Sequence, residues 1–175
     1  MIQIDKKLIN DLFDKAVVSE RKRMNYDLRT SSNDGSQRML NALLPGTSVP
    51  VHRHPKSNEN VILLQGKLVE ILYEEETLGE SLPMGEDSQY VMNGRRLRET
   101  KRIVLDPAAG LYGCVVPANV WHTVETIEPS VIYEAKDGKY GEDGSETYDD
   151  YKDKIALIPF QTVFSNSLGD LKKNI

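Results

Sequence analysis

The sequence is poor in the residues that cross-link chains or bind transition metals. Its 175 residues include one cysteine, Cys114, and three histidines, His52, His54 and His122. A single cysteine excludes an intrachain disulfide and a cysteine-based zinc site. Any histidine-rich site must therefore use these three imidazoles.

The chain also lacks a long apolar run and an excess of positive charge. Its longest uninterrupted apolar segment, Val61–Leu64, is far shorter than the roughly 20 residues that span a bilayer, and the polar N-terminus does not resemble a signal peptide. With 22 basic and 27 acidic residues, the net charge is −5, which disfavours binding to nucleic acids or anionic membranes. We therefore expect a single-domain cytoplasmic protein that binds neither nucleic acid nor membrane.

Residues 1–35 are predicted to form a helix and a polar lead-in. Apolar residues recur at helical spacing within 6–20, and Asp5 is a suitable N-cap. The basic triplet Arg21-Lys22-Arg23 follows. It is interpreted as a solvated face, with contact to an anionic ligand as the alternative.

From residue 36 the helical period gives way to short strands. Turn signals such as Gln65-Gly66, Asn93-Gly94 and Glu128-Pro129 separate them. The predicted strands are 37–43, 48–54, 59–65, 67–74, 88–92, 95–105, 112–116, 120–126 and 130–136. Many short strands at near-regular spacing predict an antiparallel barrel or sandwich over 36–136.

Two acidic segments are predicted to be exposed. Residues 74–87 are interpreted as a loop, and residues 137–154 as a flexible solvated segment. The apolar run Ile155–Phe164 is expected to dock back on the barrel. Residues 137–175 are thus predicted to form an acidic loop and a C-terminal tail packing on the barrel. We expect this segment to be dispensable for metal binding, with a role in substrate or partner selection as the alternative.

The three histidines and one glutamate lie at positions that suit a metal site. His52 and His54 are two residues apart, so on a strand their side chains point to the same side. Glu59 opens the next predicted strand, and His122 lies near the start of a later one. If these strands are adjacent, the set suits a divalent iron, manganese, nickel, cobalt or zinc ion. One or two coordination positions would remain open if the metal is five- or six-coordinate.

This spacing resembles the first motif of the cupin superfamily, Gly-x5-His-x-His-x4-Glu-x6-Gly. Its fixed positions are filled by Gly46, His52, His54, Glu59 and Gly66. In the second cupin motif Pro117 and His122 match in register, whereas Asn119 replaces a glycine and Thr126 replaces the final asparagine. Asparagine tolerates a positive φ better than most residues, so the turn at Asn119 is compatible with the motif.

Residues 2–136 also look like the WbuC-type cupins. The resemblance lies in Gln37–Gly46, the following His-Arg-His-Pro, and the upstream segment Ser19–Arg23 with Asn25. Here the acidic insertion of 74–100 is longer than in that family. The resemblance implies an all-β cupin (double-stranded β-helix or jelly-roll) barrel with an N-terminal helix. It also implies one divalent metal held by His52, His54, Glu59 and His122.

Other residues are weaker candidates for a site. Glu70 follows the Gln65-Gly66 turn and is predicted to point inward as a general base. Arg38 is a candidate for binding a carboxylate or phosphate, with a surface salt bridge as the alternative. Trp121 is interpreted as a pocket wall or a core aromatic, and Cys114 as a small buried hydrophobe.

Several functions are compatible with these residues. The first is a metal-dependent isomerase or epimerase acting on a small polar, sugar-derived metabolite, because some WbuC-like proteins are encoded with surface-polysaccharide genes. An iron-dependent dioxygenase is a variant, and a non-catalytic small-molecule-binding cupin is the alternative. Free edge strands also make a homodimer an expectation.

Overall fold

The computed structural model describes residues 1–77, 91, 92 and 95–151. The elements in these ranges are α1 (Lys6–Val18), β1 (Arg23–Asp27), β2 (Ser36–Leu43), β3 (His52–Arg53), β4 (Glu59–Thr77), β5 (Val91–Met92), β6 (Arg95–Leu105), a 3-10 turn (Pro107–Ala109), β7 (Gly113–Val116), β8 (Trp121–Asp137) and β9 (Glu146–Thr147). The Asn93-Gly94 turn, most of the 74–87 loop and the run Ile155–Phe164 lie outside the described residues.

All the described strand pairs are antiparallel. The main path of the sheet runs β1-β2-β8-β4-β6-β5, with β7 beside β4 and β3 between β8 and β9. The sheet curls on itself, and the predicted all-β barrel with an N-terminal helix is confirmed.

The two longest strands, β4 and β8, run through turns that were predicted to end them. The prediction of breaks at Gln65-Gly66 and Glu128-Pro129 was wrong, because both pairs lie inside continuous strands of 19 and 17 residues. Register irregularities between Leu63 and Leu68 let β4 turn a corner while it stays paired with β8. Gly66 has a φ of 94°, and an added Cβ would lie 2.2 Å from the carbonyl oxygen of Pro129. The corner therefore requires glycine.

The N-terminal helix begins as predicted and ends two residues early. The Asp5 carboxylate accepts a hydrogen bond from the backbone N–H of Leu8 at 2.9 Å, and Ser19 ends the helix in an extended conformation. The polar lead-in then forms β1, an edge strand that the sequence pattern did not reveal. In the described part of the chain, no helix is long and apolar enough to cross a membrane.

The two faces of the β1-β2-β8 layer have different environments. Leu40, Ala42 and Val131 face outward and pack against Leu12 and Ala16 of α1. Because side chains alternate along a strand, the intervening residues face the barrel interior. The apolar part of that interior is a cluster of Leu43, Val61, Leu63, Leu68, Leu105 and Ile132.

Residues 138–151, called the strap below, fold back over one end of the barrel. Strand β9 pairs with β3, which places Thr147 opposite His52 and Glu146 opposite Arg53. Tyr148 is only 3% exposed and Asp143 only 6%. The prediction of a flexible solvated segment is therefore wrong for these residues.

Arg53 joins the strap to the barrel. Its guanidinium donates two hydrogen bonds to the Glu146 carboxylate, at 2.9 and 2.7 Å. It also lies 4.4 Å from the ring centres of both Trp121 and Tyr151. Charge pairing and stacking on two aromatic rings therefore act on the same side chain.

Candidate metal centre

Three neighbouring strands bring the four predicted ligands together. His52 lies on β3 directly opposite His122, which is the second residue of β8. Glu59 is the first residue of β4, and His54 follows β3. One potential ligand atom from each residue lies within 4.8 Å of the others. Two ligand atoms that share an ion at about 2.1 Å lie about 3.0–4.2 Å apart, so the set needs little contraction to hold a metal.

Two of the histidine rings are oriented by backbone carbonyls. Nδ1 of His52 lies 2.9 Å from the carbonyl oxygen of Pro50, and Nδ1 of His122 lies 2.9 Å from that of Val120. A carbonyl only accepts, so each Nδ1 carries the proton and donates it. Both Nε2 atoms are thereby available as ligands, the arrangement found around metal-binding imidazoles.

The contact between His122 and Glu59 fits a shared cation. Nε2 of His122 lies 2.9 Å from a carboxylate oxygen of Glu59, while Nδ1 of the same ring already donates to Val120. A neutral imidazole has one N–H and satisfies only one of these acceptors. A proton or a metal ion between Nε2 and the carboxylate satisfies the other. The donor set therefore suits a divalent metal.

Burial disfavours the charged forms of these groups, whereas contacts between them favour the charged form of Glu59. Burial alone raises the pKa of Glu59, but its contacts with His122 and His54 outweigh burial and hold that pKa below its ordinary range. Burial lowers the pKa of His52 to about 3, and the neighbouring His122 adds to this effect. His52 is therefore neutral at ordinary pH, as a metal ligand must be.

The third ring, His54, is supported by the strap. Its Nδ1 lies 2.7 Å from the Ser145 hydroxyl, which in turn donates to the Asp143 carboxylate. The Lys136 ammonium also approaches Nδ1, at 2.9 Å, and can pair with it only as a donor. Ser145 and Lys136 together fix the orientation of the His54 ring.

Asp143 is itself held in place by two residues of the barrel. The Gln37 amide donates to its carboxylate at 2.9 Å, and the Lys136 ammonium lies 3.3 Å away. Hydrogen bonding from Ser145 and the charge of Lys136 outweigh burial and lower the pKa of Asp143 to about 2. The strap thus contacts and orients a predicted metal ligand, and the expectation that residues after 137 are dispensable for metal binding stays a prediction.

Two cavities meet at the four ligands. The inner cavity, of about 220 Å³, is bounded by His52, Glu59, His122, Glu70, Glu134 and Arg23. The outer cavity, of about 430 Å³, lies between the barrel and the strap. Both contain Arg23, Val49, His52, Glu59 and Glu134 in their walls. A small molecule that passes from one to the other passes the ligand set.

Glu70 reaches the inner cavity as a fully buried acid. It is 0% exposed, and neither carboxyl oxygen has a hydrogen-bond partner among the described residues. Burial, together with the charges of Glu59 and Glu134, raises the pKa of Glu70 to about 9. The carboxyl group is therefore protonated at neutral pH when no metal is bound.

A second acid, Glu134, was missed at the sequence level. It accepts a hydrogen bond from the Asn41 amide at 2.8 Å, and burial with the nearby Glu59 raises its pKa to about 8. It lies two residues after the buried Ile132 on β8 and so shares its face. A charged residue on the apolar face of a predicted strand was the signal that could have revealed it.

The remaining candidates lie away from the cavities. Arg38 forms an ion pair with Asp34 at 2.6 Å and lines neither cavity. Trp121 is 2% exposed and packs with Val51, Leu97 and Tyr148, which places it in a core. Burial raises the pKa of the Cys114 thiol to about 12, so this side chain is not a nucleophile at neutral pH.

The barrel and its N-terminal helix have the cupin fold that the sequence motif resembles. A family model described as a domain of unknown function (DUF6016) matches residues 4–80. Among curated proteins, no sequence matches the chain.

Comparison with solved structures shows similarity at the level of the fold. Protein TT1209 of Thermus thermophilus is 19% identical, with a TM-score of 0.50 over 79% of this chain and 98% of that protein. An oxalate oxidase in complex with the substrate analogue glycolate is 14% identical, with a TM-score of 0.49 over 75% of this chain. The match spans 57% of the oxalate oxidase chain. An oxalate decarboxylase of Lactobacillus farciminis, in a formate complex, is 15% identical, with a TM-score of 0.46 over 83% of this chain and 36% of that one.

Proposed function

We propose that this protein is a metal-dependent enzyme that converts a small polar metabolite in the inner cavity. His52, His54, Glu59 and His122 would hold one divalent ion of iron, manganese, zinc, nickel or cobalt. The supporting observation is that three of these residues, His52, Glu59 and His122, line a cavity whose wall also contains a buried acid, Glu70. When bound, such an ion acts as a Lewis acid that polarises a carbonyl or holds a diol.

Isomerisation or epimerisation is the reaction that Glu70 suits best. Such reactions remove a proton from one carbon and return it to another carbon or to the opposite face. A single acid–base group beside the metabolite can perform both transfers, taking the proton as a carboxylate and returning it as a carboxylic acid. Burial raises the pKa of Glu70 in the metal-free protein, and the charge of a bound divalent ion would lower that pKa and ionise the group for the first transfer.

The substrate class follows from the cavity and from the resemblance to WbuC-type cupins. The inner cavity of about 220 Å³ lies below the roughly 300–1,000 Å³ of most ligand pockets, so the reacting part of the substrate is small. The WbuC-like resemblance supports a sugar-derived metabolite of surface-polysaccharide metabolism. It also supports a cytoplasmic enzyme, and free edge strands support a homodimer.

The test combines metal content with turnover. The purified protein, loaded with each of the five metals, is analysed for metal stoichiometry and assayed on a panel of sugar phosphates and nucleotide sugars. Glu70→Gln should keep the metal and lose turnover, while the control Arg38→Gln should keep both. Full metal loading with no turnover on any panel member would refute the sugar-metabolising enzyme.

A non-catalytic binding module is the second candidate, and the burial of the ligands favours it. His122 is 2% exposed and Glu59 is 6% exposed, so an ion there could have a closed coordination shell. Water-proton relaxation of the manganese-loaded protein distinguishes the two candidates. An exchangeable water on the ion supports the enzyme, whereas no exchangeable water supports the binding module.

A further inference from the structure

The inner cavity contains the two arginines that lack a carboxylate partner among the described residues. The chain has nine arginines, and all lie within the described ranges. Seven of them form ion pairs there, namely Arg29, Arg38, Arg53, Arg95, Arg96, Arg98 and Arg102. No ion pair joins Arg21 or Arg23 to an acid of the described part, and both line the inner cavity. These two are the ends of the basic triplet noted in the sequence.

Arg23 is held at the junction of the two cavities. It begins β1, where its backbone is paired with Leu43, and its side chain donates one hydrogen bond to the Ser48 carbonyl oxygen at 3.0 Å. A guanidinium has five N–H donors, so most remain free. Arg23 is half-buried and lines both the inner and the outer cavity.

No carboxylate of the described residues forms an ion pair with Arg23, although Glu134 attracts its charge at longer range. Glu134 lies in the same walls, yet it accepts from Asn41 and forms no ion pair with Arg23. Burial and the neighbouring Arg21 lower the pKa of Arg23, although the side chain stays cationic at neutral pH. A half-buried cation with free donors in a cavity wall matches the planar anions that guanidinium groups bind.

We infer that Arg23, assisted by Arg21, binds an anionic oxygen group of the metabolite, a carboxylate or a phosphate, where the two cavities meet. This inference rests on the proposed function, because it names the substrate class of the same site. The anion on Arg23 directs the rest of the molecule into the inner cavity, towards Glu70 and the ligand set.

Calorimetric titration with inorganic phosphate and with malonate tests the inference. Both probes are titrated into the metal-free and the metal-loaded protein. At least one should bind the metal-free wild type, and the tighter of the two identifies the anionic group. Arg23→Gln should weaken that binding by about tenfold or more, and Arg23→Lys by less, because lysine keeps the charge without the fork.

Two further variants keep the test decisive. Arg29→Gln is the matched control, because it removes the same charge near the end of β1 from a residue that lines neither cavity. It should bind the probes as the wild type does. Arg21→Gln alters an exposed residue and should weaken binding by less than Arg23→Gln. If Arg23→Gln fails to fold, as judged by circular dichroism, Arg21→Gln decides the outcome.

The inference is overturned if the two cavity variants bind like the wild type, or if neither probe binds the metal-free wild type. Either result can coincide with full metal loading, in which case the metal site of the proposed function stands without an anion site. Anion binding that depends on Arg23 in a protein that loads no metal would instead support the inference and refute the metal centre.

Discussion

The barrel and the strap contribute to the candidate metal centre in different ways. The barrel supplies all four ligands, and two of its backbone carbonyls orient His52 and His122. The strap supplies no ligand, but its Ser145 and Asp143 orient His54. A set of ligands can therefore be complete in the sequence of one region while its geometry depends on another.

The largest expected effect is the loss of a barrel ligand. His52→Ala should abolish metal loading and leave the barrel folded, because the core is made of apolar strands rather than held by the ion. Elemental analysis measures the metal, and circular dichroism checks the fold. Full metal content in this variant would remove His52 from the ligand set. It would also contradict the view that the barrel supplies all four ligands.

The next effect tests the strap. Ser145→Ala should weaken metal affinity by about 10- to 100-fold, the range typical of partners that orient metal-binding histidines. Affinity is measured by competition with a chelator. Ser145→Thr keeps the hydroxyl and should restore most of the affinity. Glu142→Gln, an exposed acid of the same segment, is the control. Equal affinities for wild type and Ser145→Ala would mean that the barrel alone orients His54.

The third expected effect is smaller and concerns how Glu70 changes the stability of the metal-free protein. Its folded-state pKa of about 9 lies above the ordinary value of 4.5. Its contribution to stability is therefore fully present below about pH 4.5 and is lost as the pH rises through about 9. In the metal-free protein, Glu70→Gln should raise the free energy of unfolding by about 1–3 kcal/mol at pH 9 and leave it nearly unchanged at pH 4.5. Urea unfolding at the two pH values measures the difference, and an equal change at both would contradict the assignment.

The smallest expected effect is that of Arg38, which belongs to neither region of the site. Its ion pair with Asp34 is partly exposed, and such pairs contribute about 0–1 kcal/mol. Arg38→Gln should therefore shift the unfolding midpoint slightly and leave metal affinity unchanged. A clear loss of metal or of anion binding would return Arg38 to the candidate site.

The barrel part of the site was predictable because it depends on local spacing. A separation of two residues along a strand is enough to predict that the His52 and His54 side chains lie on one side. The motif then places Glu59 and His122 in register with them. The continuity of β4 and β8 was not predictable, because a glycine marks a bulge as well as a turn, and a proline can lie at an irregularity inside a strand. Edge strand β1 was missed although Met24 and Tyr26 alternate with polar residues, because the alternation extends over only five residues.

The strap was misread because its composition resembles that of a disordered segment. Gly138, Gly141 and Gly144 have φ values of 102°, 79° and 78°, so these glycines turn the chain rather than loosen it. The Asp143 carboxylate accepts a hydrogen bond from the amide of Gln37, a residue more than 100 positions earlier in the chain. No local pattern encodes a contact of that sequence separation.

The position of Ser145 so late in the chain also affects how the protein is made. Synthesis proceeds from the N-terminus, and folding begins with the residues that emerge first. All four ligands therefore leave the ribosome before the serine that orients His54. We therefore expect a nascent chain to gather the candidate ligands first and to hold a metal firmly only after the strap has emerged and paired with β3. Metal retention would then report that synthesis has passed the strap.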